Sequence, residues 1–127
     1  APSGEELSNN NFMVLTYAHV FLMLAEATDD PRYLNEVRAR VNLPLYGSNN
    51  YPINQYGNLA LAVEHERRVE LALEFHRFFD LKRTKRAVEV VGQTKPIRNE
   101  NQTVFPIPQI VIQQNPAITQ NIAYQGL

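Results

Sequence analysis

Residues 12–27 read FMVLTYAHVFLMLAEA, and only Thr16, His19 and Glu26 interrupt the apolar run. A helix wound from this segment is apolar nearly all round, so neighbouring elements must cover it on most sides. The demand falls on a chain of 127 residues, which has to supply those neighbours or find them elsewhere. Two other readings fail. The run is shorter than the roughly 20 residues a membrane span needs, and it carries a carboxylate and an imidazole. Glu5 and Glu6 precede it where a secretory signal would place basic residues.

The rest of the chain reads as helices to pack against it. The first helix is expected over about Asn11 to Thr28, capped by one of Asn9, Asn10 and Asn11. Asp29, Asp30 and Pro31 supply a cap and a proline suited to a first turn, and Leu34, Val37 and Val41 recur at helical spacing up to Asn42. Leu43 and Pro44 close that second helix. The segment PLYGSNNYPINQYGN, 44–58, is a loop by composition. Asn58 can cap a third helix running to about Leu81, with Lys82, Arg83, Lys85 and Arg86 suiting the negative end of its dipole. AVEVVG and TVFPIP read as a small β-hairpin around a polar turn. Prolines 106, 108 and 116 make the tail extended or only briefly helical. The fold class is therefore mainly α, with a small hairpin and an irregular proline-rich tail.

The third helix contains ERRVELALEFHRFFDLKR, 66–83, dense in charges and aromatics. On a helical wheel Leu71, Ala72, Phe75, Phe78 and Phe79 share one arc, broadly opposite Glu66, Arg67, Glu70, Glu74 and Arg77. The aromatics are expected to pack a core. The charges alternate in sign at helical neighbour spacings, as in Glu64 with Arg68, Arg67 with Glu70 and Glu74 with Arg77.

Catalytic and metal chemistry finds little footing. His65 and Glu66 begin the HExxH zinc pattern, but its second histidine position is Val69. The Glu-x-x-His spacing of di-iron bundles fails too, because Thr16, Ala62 and Leu73 stand three residues before the histidines. His76 and Asp80 share a helix face, yet two ligands make a poor metal site and a structural pair is the simpler reading. Cysteine is absent, as are GxSxG and a phosphate-binding glycine loop. Glu66, Glu70 and Glu74 each have an arginine within helical reach, which favours their ionised form and spoils them as general acids. The chain reads as a non-enzyme without cofactor or metal. Twelve basic residues against 13 acidic ones leave a formal net charge of -1, so no global field draws it to nucleic acid.

The loop offers a binding alternative. Tyr46, Tyr51 and Tyr56 are interleaved with Asn49, Asn50, Asn54 and Gln55, giving flat faces for stacking and amides that donate and accept. Sugars can be held that way, so Tyr46, Tyr51, Asn54 and Tyr56 are the candidate ligand contacts. The plainer reading has the tyrosines packing back on the helices.

Four blocks, TYAHVFLMLAEA (16–27), LNEVRARVNLP (34–44), EHERRVELALEFHRFFDLKR (64–83) and PIPQIVIQQNPAITQN (106–121), resemble the C-terminal domain of the SusD/RagB family. The resemblance covers most of the chain in the family's order, and its most specific part is the ERR-x-EL to R-x-x-DL-x-R block followed by PIP, NP and QN. It implies tetratricopeptide-like helix packing. It also implies a surface lipoprotein of the Bacteroidetes outer membrane that captures oligosaccharides, in some members peptides, without catalysis. Its partner is then a SusC-like TonB-dependent transporter, and its lipid anchor lies on an N-terminal part of the same protein, beyond this piece. On that reading residues 1–127 form one C-terminal domain whose Arg67, Glu70, Arg77 and Asp80 hold neighbouring segments together. The sequence departs from the family at His19, where glutamate is common, at Phe75, where glycine is usual, and at Asn121-Ile122-Ala123-Tyr124 in place of Asn-Pro-Gly-Tyr. The competing expectation is a free-standing helical protein-interaction module docking through residues 12–27.

Overall fold

The computed structural model describes residues 14–52 and 56–125. These are mainly α-helical, and their contacts fall into two compact units that part between Ala72 and Leu73.

The first unit is built on α1 (Tyr17–Thr28), α2 (Pro31–Arg40) and α3 (Leu59–Glu70). Thr16 caps α1, its hydroxyl accepting the His19 N–H at 3.2 Å. The asparagines expected to cap it lie outside the described residues. Asp29 takes a left-handed conformation (φ 52) and ends α1, and Asp30 then caps α2 through the Arg32 N–H at 2.9 Å, with Pro31 opening the helix. So short a link folds α2 back on α1, and α3 packs against both. Their shared core holds Leu22 and Ala25 from α1, Leu34 and Val37 from α2, and Leu59, Ala62 and Val63 from α3. Removing a leucine such as Leu22 or Leu34 entirely from water stabilises the unit by about 1.5–3 kcal/mol. The outer side of α1 is less covered than the composition demands, with Tyr17 and Met23 exposed.

The long third helix does not form as one piece. α3 stops at Glu70, residues 71–75 are turns, and α4 runs over Arg77–Arg83. Leu73 (φ 69) and Phe75 (φ 63) both sit in the left-handed region, which a right-handed helix cannot contain. Every residue from Glu70 to Glu74 is an ordinary or good helix former, so propensity gave no warning. The shared aromatic arc is lost with the helix: Leu71 is buried, while Phe75 and Phe79 are 80% and 62% exposed.

The second unit comprises α4, α5 (Ala87–Val91), a 3-10 turn (Glu100–Thr103), α6 (Gln109–Gln114) and a second 3-10 turn (Ile122–Tyr124). Leu81, Ala87 and the side chain of Thr103 are buried, and Phe78 packs beside Phe79 and Phe105 with ring centroids 5.9 and 6.1 Å away. The expected hairpin is absent among the described residues. AVEVV winds into α5, which seats Ala87 inside, and Pro106 and Pro108 lack the N–H groups a strand ladder requires. Gly92 ends α5 in close quarters, since a Cβ there would lie 2.2 Å from the Val88 carbonyl oxygen.

Candidate functional site

The loop after α2 is anchored by α2 itself. Asn35 grips Tyr46 through its backbone, Oδ1 accepting the Tyr46 N–H at 2.7 Å and Nδ2 donating to the Tyr46 carbonyl at 3.3 Å. One turn on, Arg38 donates through Nε to the Pro44 carbonyl at 2.6 Å. Its Nη1 forms an ion pair with Glu66 Oε2 of α3, and both side chains are nearly inaccessible. The guanidinium carbon stands 4.9 Å from the centroid of the Tyr51 ring, a cation–π contact. Two residues of α2 thus hold Pro44, Tyr46 and Tyr51 in place. The spacing Asn35 to Arg38 is legible in the sequence, but nothing in it says that both side chains turn toward Pro44 and Tyr46.

The three loop tyrosines come together. Tyr46 and Tyr51 meet edge to face at 5.1 Å, Tyr51 and Tyr56 at 6.3 Å, and Tyr56 stacks on His65 at 4.1 Å with its hydroxyl 3.2 Å from His65 Nε2. They are not equivalent. Tyr51 is buried in the core, and its hydroxyl has no hydrogen-bond partner among the described residues. Burial pushes that hydroxyl above the ordinary tyrosine pKa, with the Arg38 charge opposing. Tyr46 and Tyr56 are half-buried and keep part of their rings at the surface. Asn54 lies outside the described residues.

Of the four residues expected to form a structural network, Arg67 and Glu70 lie on α3 and Arg77 and Asp80 on α4. Arg67 is buried, and its Nη2 lies 3.1 Å from His19 Nε2 on α1. Glu70 accepts from Arg40 Nη2 at 2.6 Å, joining α3 to α2. Arg77 and Asp80 belong to α4 in the second unit, where Asp80 is buried and accepts from Arg83 Nη2 at 3.2 Å. Arg67 and Glu70 thus each meet a neighbouring helix of the first unit, and Asp80 meets Arg83 within α4. Among the described residues no three potential metal ligands gather in one place, and no helix is long and apolar enough to cross a membrane.

Comparison with known proteins places this framework. SusD-like protein P38 of Formosa agariphila is 31% identical over 129 residues, covering 93% of the chain and 25% of that protein. SusD-like protein P2 of the same organism is 35% identical over 104 residues, 71% of the chain and 20% of that protein. The chain thus spans about a quarter or less of the length of the relatives it matches. No solved structure gives a significant match. The model of the SusD family matches residues 1–124, from before α1 to the last 3-10 turn, and with two SusD-like relatives beside that match the chain belongs to the SusD family.

Proposed function

We propose that the chain is part of a nutrient-binding surface lipoprotein that captures oligosaccharides, or peptides in a variant of the same role, and passes them to a SusC-like TonB-dependent transporter in the outer membrane. The observation that carries this reading is the family match over residues 1–124. In such a protein the lipid anchor lies on the N-terminal part that precedes this piece. The protein binds and does not catalyse.

Within the chain, the loop tyrosines are the proposed contact. Asn35 and Arg38 tie the backbone of Tyr46 and Pro44 to α2, so less ordering entropy is lost when a ligand stacks on Tyr46. With Tyr51 inside, the stacking surface consists of the outer parts of Tyr46 and Tyr56. The test is a glycan-array screen of the parent protein, followed by affinity measurement for any oligosaccharide retained. Replacing both Tyr46 and Tyr56 with alanine is expected to weaken that affinity by about tenfold or more. Unchanged affinity in the folded double variant removes the loop from the site, and a parent protein that retains no glycan or peptide refutes the nutrient-binding reading.

A further inference from the structure

The two units differ in charge. Residues 73–127 carry seven basic residues against four acidic ones, whereas 1–72 carry five against nine. The excess in the second unit gathers where α4 ends and α5 begins, at Lys82, Arg83, Lys85 and Arg86. Compensation of the α4 dipole is the plain account of such a cluster. The carbonyls at that end nevertheless have other partners. Those of Asp80, Leu81 and Lys82 accept the backbone N–H groups of Thr84, Arg86 and Lys85 at 3.0, 2.8 and 3.1 Å, and the Thr84 hydroxyl adds a bond to the Asp80 carbonyl at 3.0 Å.

The four cations are not balanced alike. Arg83 reaches Asp80 at 3.2 Å, and Arg86 reaches Glu89 at 2.9 Å. Lys82 and Lys85 are exposed, and their ammonium groups meet no carboxylate or carbonyl among the described residues. An apolar component lies beside them. Phe79 is exposed and shares the α4 face with Lys82 and Arg83, three and four residues on. The half-buried Phe78 holds Phe79 on one side at 5.9 Å and the exposed Phe105 on the other at 6.1 Å. Two exposed rings thus stand with two uncompensated lysines in the second unit.

We infer that this corner docks onto an anionic lipid surface, with Lys82 and Lys85 meeting headgroup phosphates and Phe79 entering the boundary between headgroups and acyl chains. Free ammonium groups beside an exposed ring on one helix face are what such a surface retains. The phosphates supply the negative charge that the corner lacks, and a phenyl ring, having no hydrogen-bonding group, is better placed against acyl chain than in water. Nucleic acid fits less well, because two free lysines neutralise few phosphates of a strand and the acidic excess of the first unit repels it. A purely acidic peptide leaves both rings in water. The inference rests on the surface-lipoprotein reading, which brings the chain to a membrane, and adds to the anchor a contact made by the folded domain itself.

The test is flotation of the 127-residue chain with vesicles of phosphatidylcholine alone and of phosphatidylcholine mixed with phosphatidylglycerol, at low and at raised salt. Binding is expected only to the mixed vesicles, and it should fall as salt screens the lysines. Lys82→Gln with Lys85→Gln should weaken it about tenfold or more, since each lysine beside an anionic surface is worth about fivefold. Phe79→Ala should weaken it as well. Lys85 is held left-handed (φ 59), so Lys85→Gly suits the turn and should act as Lys85→Gln does. Arg68→Gln, which removes an exposed cation of the first unit, should leave binding unchanged. Equal binding to both kinds of vesicle, binding to neither, or a loss in Arg68→Gln as large as in the lysine pair overturns the corner. Tighter binding of a single-stranded oligonucleotide or of polyglutamate than of the mixed vesicles overturns the lipid assignment. If the parent protein freed of its anchor fails to float with vesicles that retain the chain, the corner is covered in the whole molecule and the docking surface is refuted. The parent protein's glycan screen decides the nutrient-binding reading separately from all of these.

Discussion

The ion pair between Arg38 and Glu66 makes a sharp claim about what holds the first unit together. Both side chains are almost wholly out of water, at 7% and 5% exposure. Truncating Glu66 to leucine keeps the volume but leaves the Arg38 guanidinium buried with the Pro44 carbonyl and the face of Tyr51. Breaking a buried pair in this way costs about 3–5 kcal/mol, because the remaining charge stays desolvated. Coulomb attraction at about 4 Å and an effective dielectric near 20 gives a similar ~4 kcal/mol. Against a typical total of about 5–15 kcal/mol for a domain, the single variant should lose about a fifth or more of its stability.

The urea midpoint followed by far-ultraviolet circular dichroism reads this directly, provided the slope of the transition does not change. The control is the double variant Arg38→Met with Glu66→Leu, which removes the charge along with its partner. It should be more stable than Glu66→Leu alone by at least about 2 kcal/mol, even though it forfeits the tether to Pro44. A Glu66→Leu cost under about 1 kcal/mol would falsify the description of the pair as buried. A double variant no better than the single one would show that the stranded charge is not the source of the loss.

Three further outcomes follow from single residues. Phe75 is exposed and left-handed, so Phe75→Gly should relieve strain for a net gain of up to about 1 kcal/mol, whereas Phe75→Ala gains nothing; equal melting of the two variants refutes the strain. Tyr51 buries a hydroxyl with no partner among the described residues, so Tyr51→Phe should raise stability by about 1 kcal/mol, and a loss in chemical denaturation rejects that account. Because the Arg32 side chain and backbone N–H hold the Asp30 carboxyl below its usual pKa, its contribution is complete above the ordinary carboxylate range and is lost as pH falls through the lowered value. Asp30→Asn keeps a cap but should flatten that part of the acid profile, from the ordinary carboxylate range downward, and parallel profiles for the two proteins contradict it.

Much of the first unit was legible in the sequence because period and capping agree there. Leu34 and Val37 face the core as their spacing requires, Asp30 and Pro31 open α2, and Asn58 caps α3. The second unit was less readable, since its backbone bonds are satisfied by individual amides. A valine-rich segment such as AVEVV carries β propensity, yet the seat for Ala87 and the pairing of Arg86 with Glu89 at 2.9 Å favour one helical turn. The candidate site was half legible. Composition singled out the tyrosines, but which ring lies inside depends on Arg38 reaching across to Pro44, Tyr51 and Glu66, a convergence no local pattern encodes.

The break between α3 and α4 shows how the levels can disagree. Local propensity from Glu70 to Phe79 argues for uninterrupted helix, and the charge spacings argue the same. An uninterrupted helix would nevertheless set Phe75, Phe78 and Phe79 on the stripe that continues Leu71. The observed turn separates them: Leu71 completes the first unit, and Phe78 turns instead to Phe105 in the second. The one sequence signal for the break was the departure at residue 75, a phenylalanine where the family's glycine is usual, and the positive φ found there is the conformation glycine tolerates best. A left-handed phenylalanine costs about 1–2 kcal/mol and persists only if packing on both sides of it is worth more. Leu71 on one side and Asp80 and Leu81 on the other, all buried, are the packing that outweighs it.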